Sequence, residues 1–163
     1  MFRDFKARNI STVRIFYGII FDRGMSAVLL FRIANWFYRH HLKVFAVLTS
    51  QANMFFNRCE LDYRSRIGNG FRIYHAVGLV MADFTAGENF TVCQNCTIGK
   101  AGKPDENGNY CPKIGNNVTI FPGAVVAGNI KIGDNCRIGA NVTVTMDVPP
   151  DSTVKFPSPV VSQ

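Results

Sequence analysis

The sequence predicts a mainly β protein, a parallel β-helix preceded by an α-helical segment. Branched aliphatic residues recur at every sixth position, namely Ile114, Ile120, Val126, Ile132, Ile138 and Val144. The positions two residues before five of these are also apolar. A period of six fits neither a helix nor a single strand. It is typical of hexapeptide-repeat solenoids, in which three short sides close each coil around a narrow core.

A less regular ladder lies upstream of this repeat. Its members, six apart within each group, are Ile67, Ile73 and Leu79, followed by Ala86, Val92 and Ile98. The step from Leu79 to Ala86 is seven residues, which predicts a one-residue bulge there. Residues 99–113 interrupt the ladder and are rich in Gly, Pro and Asn, so they predict an inserted loop. The predicted solenoid therefore spans residues 67–150, with a tail at 151–163.

Residues 1–57 predict helices, joined to the solenoid by a connector at 58–66. Apolar residues at helical spacing form two faces, Leu29/Ile33/Trp36/Phe37 and Val44/Leu48/Gln51/Phe55, and Gly18 and Gly24 predict a break between helices. Such aromatic faces need burial, against each other, the first coil or a neighbouring subunit. A basic aromatic face can instead lie on a membrane surface. Packing is the favoured interpretation.

The positive charge is concentrated in the N-terminal part of the chain. Residues 1–66 hold eleven Lys and Arg and four Asp and Glu, and so carry the whole net charge of +7. This segment suits anionic lipid, a charged saccharide carrier or a phosphorylated cofactor, whereas a solvated helix surface is the plain alternative. Nucleic acid is not an expected partner.

The sequence predicts a cytoplasmic location, with the inner face of the membrane as the alternative. It shows no signal peptide, and its uncharged run Val44–Asn57 is too short and polar to span a bilayer. Five cysteines without an export signal predict reduced thiols. The hexapeptide register explains the Cys93 and Cys96 pair, and no second pair or His cluster completes a metal site, so no metal is expected.

Two residues are candidates for chemistry. His75 lies within FRIYHAVGLV, although a lone His among apolar neighbours is more often structural than catalytic. Cys111 ends the inserted loop in NYCPKIG, although a lone Cys is usually a small apolar residue. Four asparagines that each open an N-x-T triplet are predicted to be coil corners rather than glycan sites, namely Asn89, Asn95, Asn117 and Asn141.

About three quarters of the chain, from Gly24 to Asp151, resembles the serine acetyltransferase family of hexapeptide-repeat acyltransferases. The matching motifs are FRIANWF before the solenoid, RIGNGFRIYHAVGLV, CPKIG after the insert and VPPDS near the C-terminus. The resemblance implies a left-handed coil, a homotrimer with active sites between neighbouring solenoids, and acetyl transfer from acetyl-CoA to a hydroxyl. It also implies that His75 is the general base, with weaker assignments of CoA binding to Gly123, Ala140 and Lys155.

The chain differs from that family at several positions of the family's active-site motifs. Tyr74 stands where the family has an Asp that helps to hold the amino acid, and Cys111 stands where it has a second His. Lys155 and Pro159 replace residues of the family's cofactor motif. Tyr74 and Cys111 resemble instead the branch that acetylates polysaccharides, such as the colanic acid acetyltransferases. We therefore expect a saccharide acceptor, with Tyr74 and Cys111 binding it; the alternatives are serine as acceptor, or a non-catalytic trimeric scaffold.

Three roles for Cys111 are open at this level: a nucleophile, a small residue lining the acceptor pocket, or a side chain packed beneath the insert. The resembled family transfers acetyl directly, and no neighbour in the sequence lowers the thiol pKa, which disfavours the nucleophile. The pocket-lining role is the favoured interpretation.

Overall fold

The computed structural model describes Asp4, residues 22–104, Glu106, Gly108 and residues 110–156. Two helices, α1 (Arg23–Arg39) and α2 (Lys43–Asn57), precede a parallel β-helix of three sheets. The fourteen strands of the described chain are β1 (Glu60–Leu61), β2 (Arg66–Ile67), β3 (Arg72–Tyr74), β4 (Val80–Met81), β5 (Thr85–Ala86), β6 (Thr91–Cys93), β7 (Thr97–Gly99), β8 (Lys113–Ile114), β9 (Thr119–Ile120), β10 (Val125–Ala127), β11 (Lys131–Ile132), β12 (Arg137–Ile138), β13 (Thr143–Val144) and β14 (Thr153–Val154).

The strands form three faces of a prism with five coils. Sheet A has the order β1-β4-β7-β10-β13, sheet B the order β11-β8-β5-β2 and sheet C the order β14-β12-β9-β6-β3. The predicted fold class is confirmed. The hand of the coil remains an expectation from the resemblance. Strand β1 lies in the segment expected to be a connector, and β14 in the expected tail.

The six-residue ladder is the core of the solenoid. Each predicted residue from Ile114 to Val144 pairs in register with its equivalent one coil away, and Ile120, Val126 and Ile138 are completely buried. Burying a branched side chain contributes about 1.5–3 kcal/mol, so the stack supplies much of the stability.

Asparagines turn the corner between sheets B and C. Asn89, Asn117 and Asn135 all have φ near 55–59°, and their side-chain amides form a ladder with spacings of 3.0 Å that ends on Asp151 at 2.8 Å. Asn tolerates this left-handed conformation better than other residues with a side chain. Asn95 and Asn141 have the same conformation at the corner between sheets C and A. The expectation that these asparagines are corners is confirmed.

The predicted upstream register is wrong at Leu79. Met81, not Leu79, pairs with Leu61 and Ile98 on sheet A, so the step from Ile73 is eight residues. Leu79 is buried two positions earlier, in the corner, where its carbonyl accepts a hydrogen bond from Glu60 N–H at 2.8 Å. The extra residues therefore lie before Leu79, in the corner that carries His75, and not after it.

A helix boundary lies beside Gly24, as predicted, because α1 begins at Arg23 after its N-cap Asp22, and a further break separates α1 from α2. The break between them lies at residues 40–42, where His41 has φ 63°. Gly18 lies outside the described residues, and Gly24 lies in the first turn of α1. A Cβ on Gly24 would come within 2.1 Å of the Ile73 carbonyl oxygen, so this glycine allows α1 to pack closely on β3.

Candidate active site

His75 lies on an enlarged corner between sheets C and A. Six steps separate Tyr74 from Val80, whereas four separate their partners Cys93 and Thr97 in the next coil. The carbonyl of Val77 accepts from Asn95 N–H at 3.1 Å, which restores the register after the two additional residues. His75 and Ala76 are therefore a two-residue enlargement that the other corners of this edge lack.

The neighbouring backbone holds this corner. Gly78 N–H donates to the Arg58 carbonyl at 2.9 Å, and Leu79 N–H donates to the Ala76 carbonyl at 3.3 Å. Ala76 is completely buried, whereas His75 is exposed with φ 56°. A non-glycine residue at positive φ is uncommon, although Asn, Asp and His adopt it more often than other residues, and such residues recur at functional sites.

His75 faces an open cavity of about 500 Å³. Its lining comes from the start of α1 and from the enlarged corner: Asp22, Arg23, Gly24 and residues 73–77. Asp22 caps α1 by accepting from Gly24 N–H at 2.8 Å, which fixes this wall of the cavity. A neutral imidazole here can accept a proton from a hydroxyl that enters the cavity.

Tyr74 lies beside His75 in the same cavity and is 46% exposed. Its hydroxyl accepts a hydrogen bond from Arg72 Nη1 at 2.6 Å, and the Arg72 guanidinium lies 5.3 Å from its ring centre. Arg72 therefore orients the ring. The structure brings these two predicted site residues together.

The three residues assigned to CoA lie along the same edge of the prism as His75. Asn141 N–H bonds to the Pro122 carbonyl and Gly123 N–H to the Gln94 carbonyl, so successive corners stack beneath Val77. Gly123 and Ala140 belong to these corners, and Lys155 packs against Gly139 in the last coil. A Cβ on Gly123 would come within 2.0 Å of Asn141 Oδ1, so the coil packing itself requires this glycine.

Cys111 lies on a different corner, between sheets A and B. It directly precedes Pro112, whose carbonyl accepts from Thr85 N–H, so within one chain it does not share the edge of His75. The residue is 1% exposed, and burial raises the pKa of its thiol. This burial favours packing beneath the insert over contact with an acceptor.

The sequence interpretation missed a charged cluster around Cys111. The charges of Lys100, Asp83, Asp62 and Arg64 all act on its thiol. Burial would raise the pKa of Asp62, but hydrogen bonds from the Arg64 guanidinium and backbone, at 2.9 Å, lower it below the ordinary value. Asp62 and Arg64 lie in the turn between β1 and β2, where no sequence periodicity predicts that they approach Cys111.

The described residues contain no group of three or more potential metal ligands. In that same part of the chain, no helix is both long and apolar enough to cross a membrane.

Residues 111–145 match the family described as "Bacterial transferase hexapeptide (six repeats)". The chain is 37% identical over 153 residues to a serine acetyltransferase from Synechococcus elongatus, covering 93% of the chain and 60% of that relative. A crystal structure of serine acetyltransferase from Vibrio cholerae superposes with a TM-score of 0.78 and 31% identity, over 86% of this chain and 55% of that one. A structure of a serine acetyltransferase in complex with CoA superposes with a TM-score of 0.75 and 25% sequence identity, over 83% of this chain and 55% of that one.

The chain thus spans about 60% of the length of the Synechococcus relative. These relatives correspond to the serine alternative of the sequence analysis, and they give no support to the polysaccharide branch. The six-residue ladder, the family match and the structural similarity agree. The chain belongs to the hexapeptide-repeat acyltransferase family.

Proposed function

We propose that this chain is an acetyl-CoA-dependent O-acetyltransferase with His75 as the general base and serine as the acceptor. The observation that carries the proposal is the two-residue enlargement that presents His75 to a cavity at the end of α1. The similarity to serine acetyltransferases, one of them in complex with CoA, supports the reaction class.

An alcohol is a poor nucleophile at neutral pH, so its proton has to be removed as it attacks the thioester carbonyl. His75 accepts that proton, and the thiolate leaves with the electron pair of the broken C–S bond. His75 then returns the proton to the leaving sulfur. A backbone N–H or a side chain of the insert would stabilise the tetrahedral oxyanion.

Small side chains below His75 fit a slender pantetheine arm. The exposed Ala140 carries only a methyl group at its corner of this edge, and the Lys155 ammonium at the far end is an exposed cation for a phosphate. The Arg137 guanidinium, 5.0 Å from the Phe121 ring centre, adds positive charge on the adjoining sheet C.

Serine is favoured by the charges of the cavity as well as by the relatives. Asp22 and Arg23 line it together, and an acid and a base complement the ammonium and carboxylate of an amino acid. A saccharide hydroxyl is the second candidate, because Tyr74 exposes an aromatic ring where the resembled family has an Asp.

A homotrimer would complete the site. The prism places His75 on one corner and the cluster around Cys111 on another. If the His75 edge of one solenoid packs against the A–B corner of the next, Asp62 and Arg64 of the neighbour would face the cavity, with Cys111 buried behind them. This arrangement supplies further charged groups for the acceptor.

The test is release of free CoA from acetyl-CoA in the presence of L-serine, compared with a panel of monosaccharides and oligosaccharides. D-Serine and L-alanine are the matched controls, since L-alanine lacks only the hydroxyl. We expect turnover with L-serine and none with L-alanine. Turnover with sugars alone would establish the second candidate. No turnover with any acceptor, in a trimeric and folded protein, would establish the scaffold alternative.

A further inference from the structure

Helix α2 presents its polar side to the protein and its apolar side to the outside. Its buried residues are Ala46, Asn53 and Asn57. Asn53 donates to the Ala27 carbonyl at 3.0 Å, and Asn57 donates to Asn53 Oδ1 at 2.9 Å. The predicted apolar face is thus not the one that packs on α1 and the first coil.

The opposite side of α2 is an exposed apolar stripe. Val44, Leu48 and Phe55 lie on one line along the helix and are 70%, 59% and 76% exposed. The exposed Phe45, Val47, Met54 and Phe56 of α2 widen the stripe, and Leu42 precedes it. The exposed Trp36 of α1 joins it through Phe37, whose ring centre lies 5.3 Å from that of Trp36 and 5.4 Å from that of Phe45. We call these nine exposed residues the aromatic face. A 15-residue helix is about 22 Å long, so the face is large enough to mark an interaction site.

The charges near the aromatic face indicate which kind of partner can bind it. The exposed charged residues of 22–58 are the cations Arg23, Arg39, Lys43 and Arg58 and the acid Asp22, whereas Arg32 is neutralised by its ion pair with Asp4. Two such faces would repel each other if a second copy covered the first. A surface of anionic lipid combines an apolar interior with negative headgroups and so complements both features.

A depression at the C-terminal end of α2 brings exposed aromatic side chains and cationic side chains together. It encloses about 590 Å³ and is lined by Arg23, Gln51, Met54, Phe55, Phe56 and Arg58. Neither the Arg23 nor the Arg58 side chain makes a hydrogen bond or ion pair to another described residue. Two guanidinium groups that have no partner among the described residues therefore lie next to exposed phenyl rings, as a lipid phosphate above its acyl chains requires.

We propose that the aromatic face docks the protein on an anionic bilayer surface, with α2 lying in the plane of the interface. The inference is independent of the identity of the acceptor. Arg23 lines both the depression and the His75 cavity, so docking would hold that cavity close to the lipid headgroups.

The sequence provides a built-in probe, because its single tryptophan, Trp36, belongs to the aromatic face. The full chain is mixed with vesicles of phosphatidylcholine, alone or with 30 mol% phosphatidylglycerol, and binding is followed by flotation and Trp36 emission. We expect flotation and a blue shift with the anionic vesicles only, both weakened by high salt because surface charges are screened.

Three variants locate the contact. Phe55→Asp should weaken binding more than about tenfold, because it places a charge in the apolar interface. Arg58→Asn, which keeps a residue that tolerates φ 58°, should weaken it about fivefold through loss of one cation. Phe156→Asp changes a phenylalanine that is 61% exposed in the last coil, far from α2, and should leave binding unchanged. Circular dichroism controls for folding.

Two results would overturn the inference. One is an unchanged Trp36 spectrum and no flotation with anionic vesicles. The other is a higher oligomer in solution that Phe55→Asp dissociates, which would show that a second copy covers the face.

Discussion

Gly24→Ala should destabilise the protein although it improves an intrinsic helix propensity. Within a helix, Ala is favoured over Gly by about 1 kcal/mol. In this structure, however, a Cβ on Gly24 would come within 2.1 Å of the Ile73 carbonyl oxygen, which is backbone and cannot rotate away. Overpacking of this kind costs about 1–3 kcal/mol and forces the neighbouring segments apart. Because the clash is with backbone, we expect the upper end of that range, about 3 kcal/mol, which leaves a net loss of about 2 kcal/mol in the free energy of unfolding once the propensity gain is subtracted.

The assay is urea unfolding of wild type, Gly24→Ala and Gly99→Ala at one protein concentration, since oligomerisation links stability to concentration. Gly99 is the matched control, because a Cβ there meets only Thr97 Cγ2 at 3.9 Å and its φ is not positive. Gly99→Ala should therefore be neutral or slightly stabilising. Ile73 precedes Tyr74 and His75, so Gly24→Ala should also reduce acetyl transfer. A Gly24→Ala protein as stable as wild type would refute the packing argument.

Three further predictions concern buried groups. Arg32→Ala should cost about 3–5 kcal/mol in urea unfolding, because it leaves the 3% exposed Asp4 carboxylate without its 2.7 Å ion pair. Burial raises the pKa of the Cys59 thiol to about 12, above its value in the unfolded chain. Between about pH 9 and pH 12 only the unfolded chain loses this proton, so the free energy of unfolding should fall as pH rises. Urea unfolding of Cys59→Ala should show a smaller fall over that range. Cys111→Ala should keep the rate of acetyl transfer within about tenfold of wild type, since no bond to the Cys111 sulfur forms in the reaction. An acetyl adduct on Cys111 in mass spectra, together with an inactive Cys111→Ala protein, would contradict this prediction.

The sequence was most informative where the repeat is regular. From Ile114 to Val144, each sixth residue predicts the inward-facing position because every corner has the same length. The upstream register fails at Leu79, since both Leu79 and Met81 are apolar and buried, and spacing alone cannot distinguish a core side from a corner. The enlarged corner at His75 becomes visible only through the strand pairing on both sides of it.

The helical faces show a different limit. Periodicity identified the apolar line Val44, Leu48 and Phe55, but it cannot say whether that line faces the fold or an external partner. The buried side of α2 is held by amide hydrogen bonds of Asn53 and Asn57, which a hydrophobic pattern does not register. In the same way, the positions of His75 and Cys111 on different corners follow from the coil geometry, not from their motifs.

The central claim is that His75 is the general base, and one kinetic comparison tests it most directly. His75→Asn removes the base while keeping a residue that tolerates φ 56°, and His41→Asn changes another exposed histidine with φ 63° outside the site. We predict that His75→Asn lowers kcat for acetyl transfer by roughly 10²–10⁴, with the circular dichroism spectrum unchanged, and that His41→Asn leaves kcat unchanged. A loss of less than about tenfold in folded His75→Asn would contradict the account and make His75 a structural corner residue.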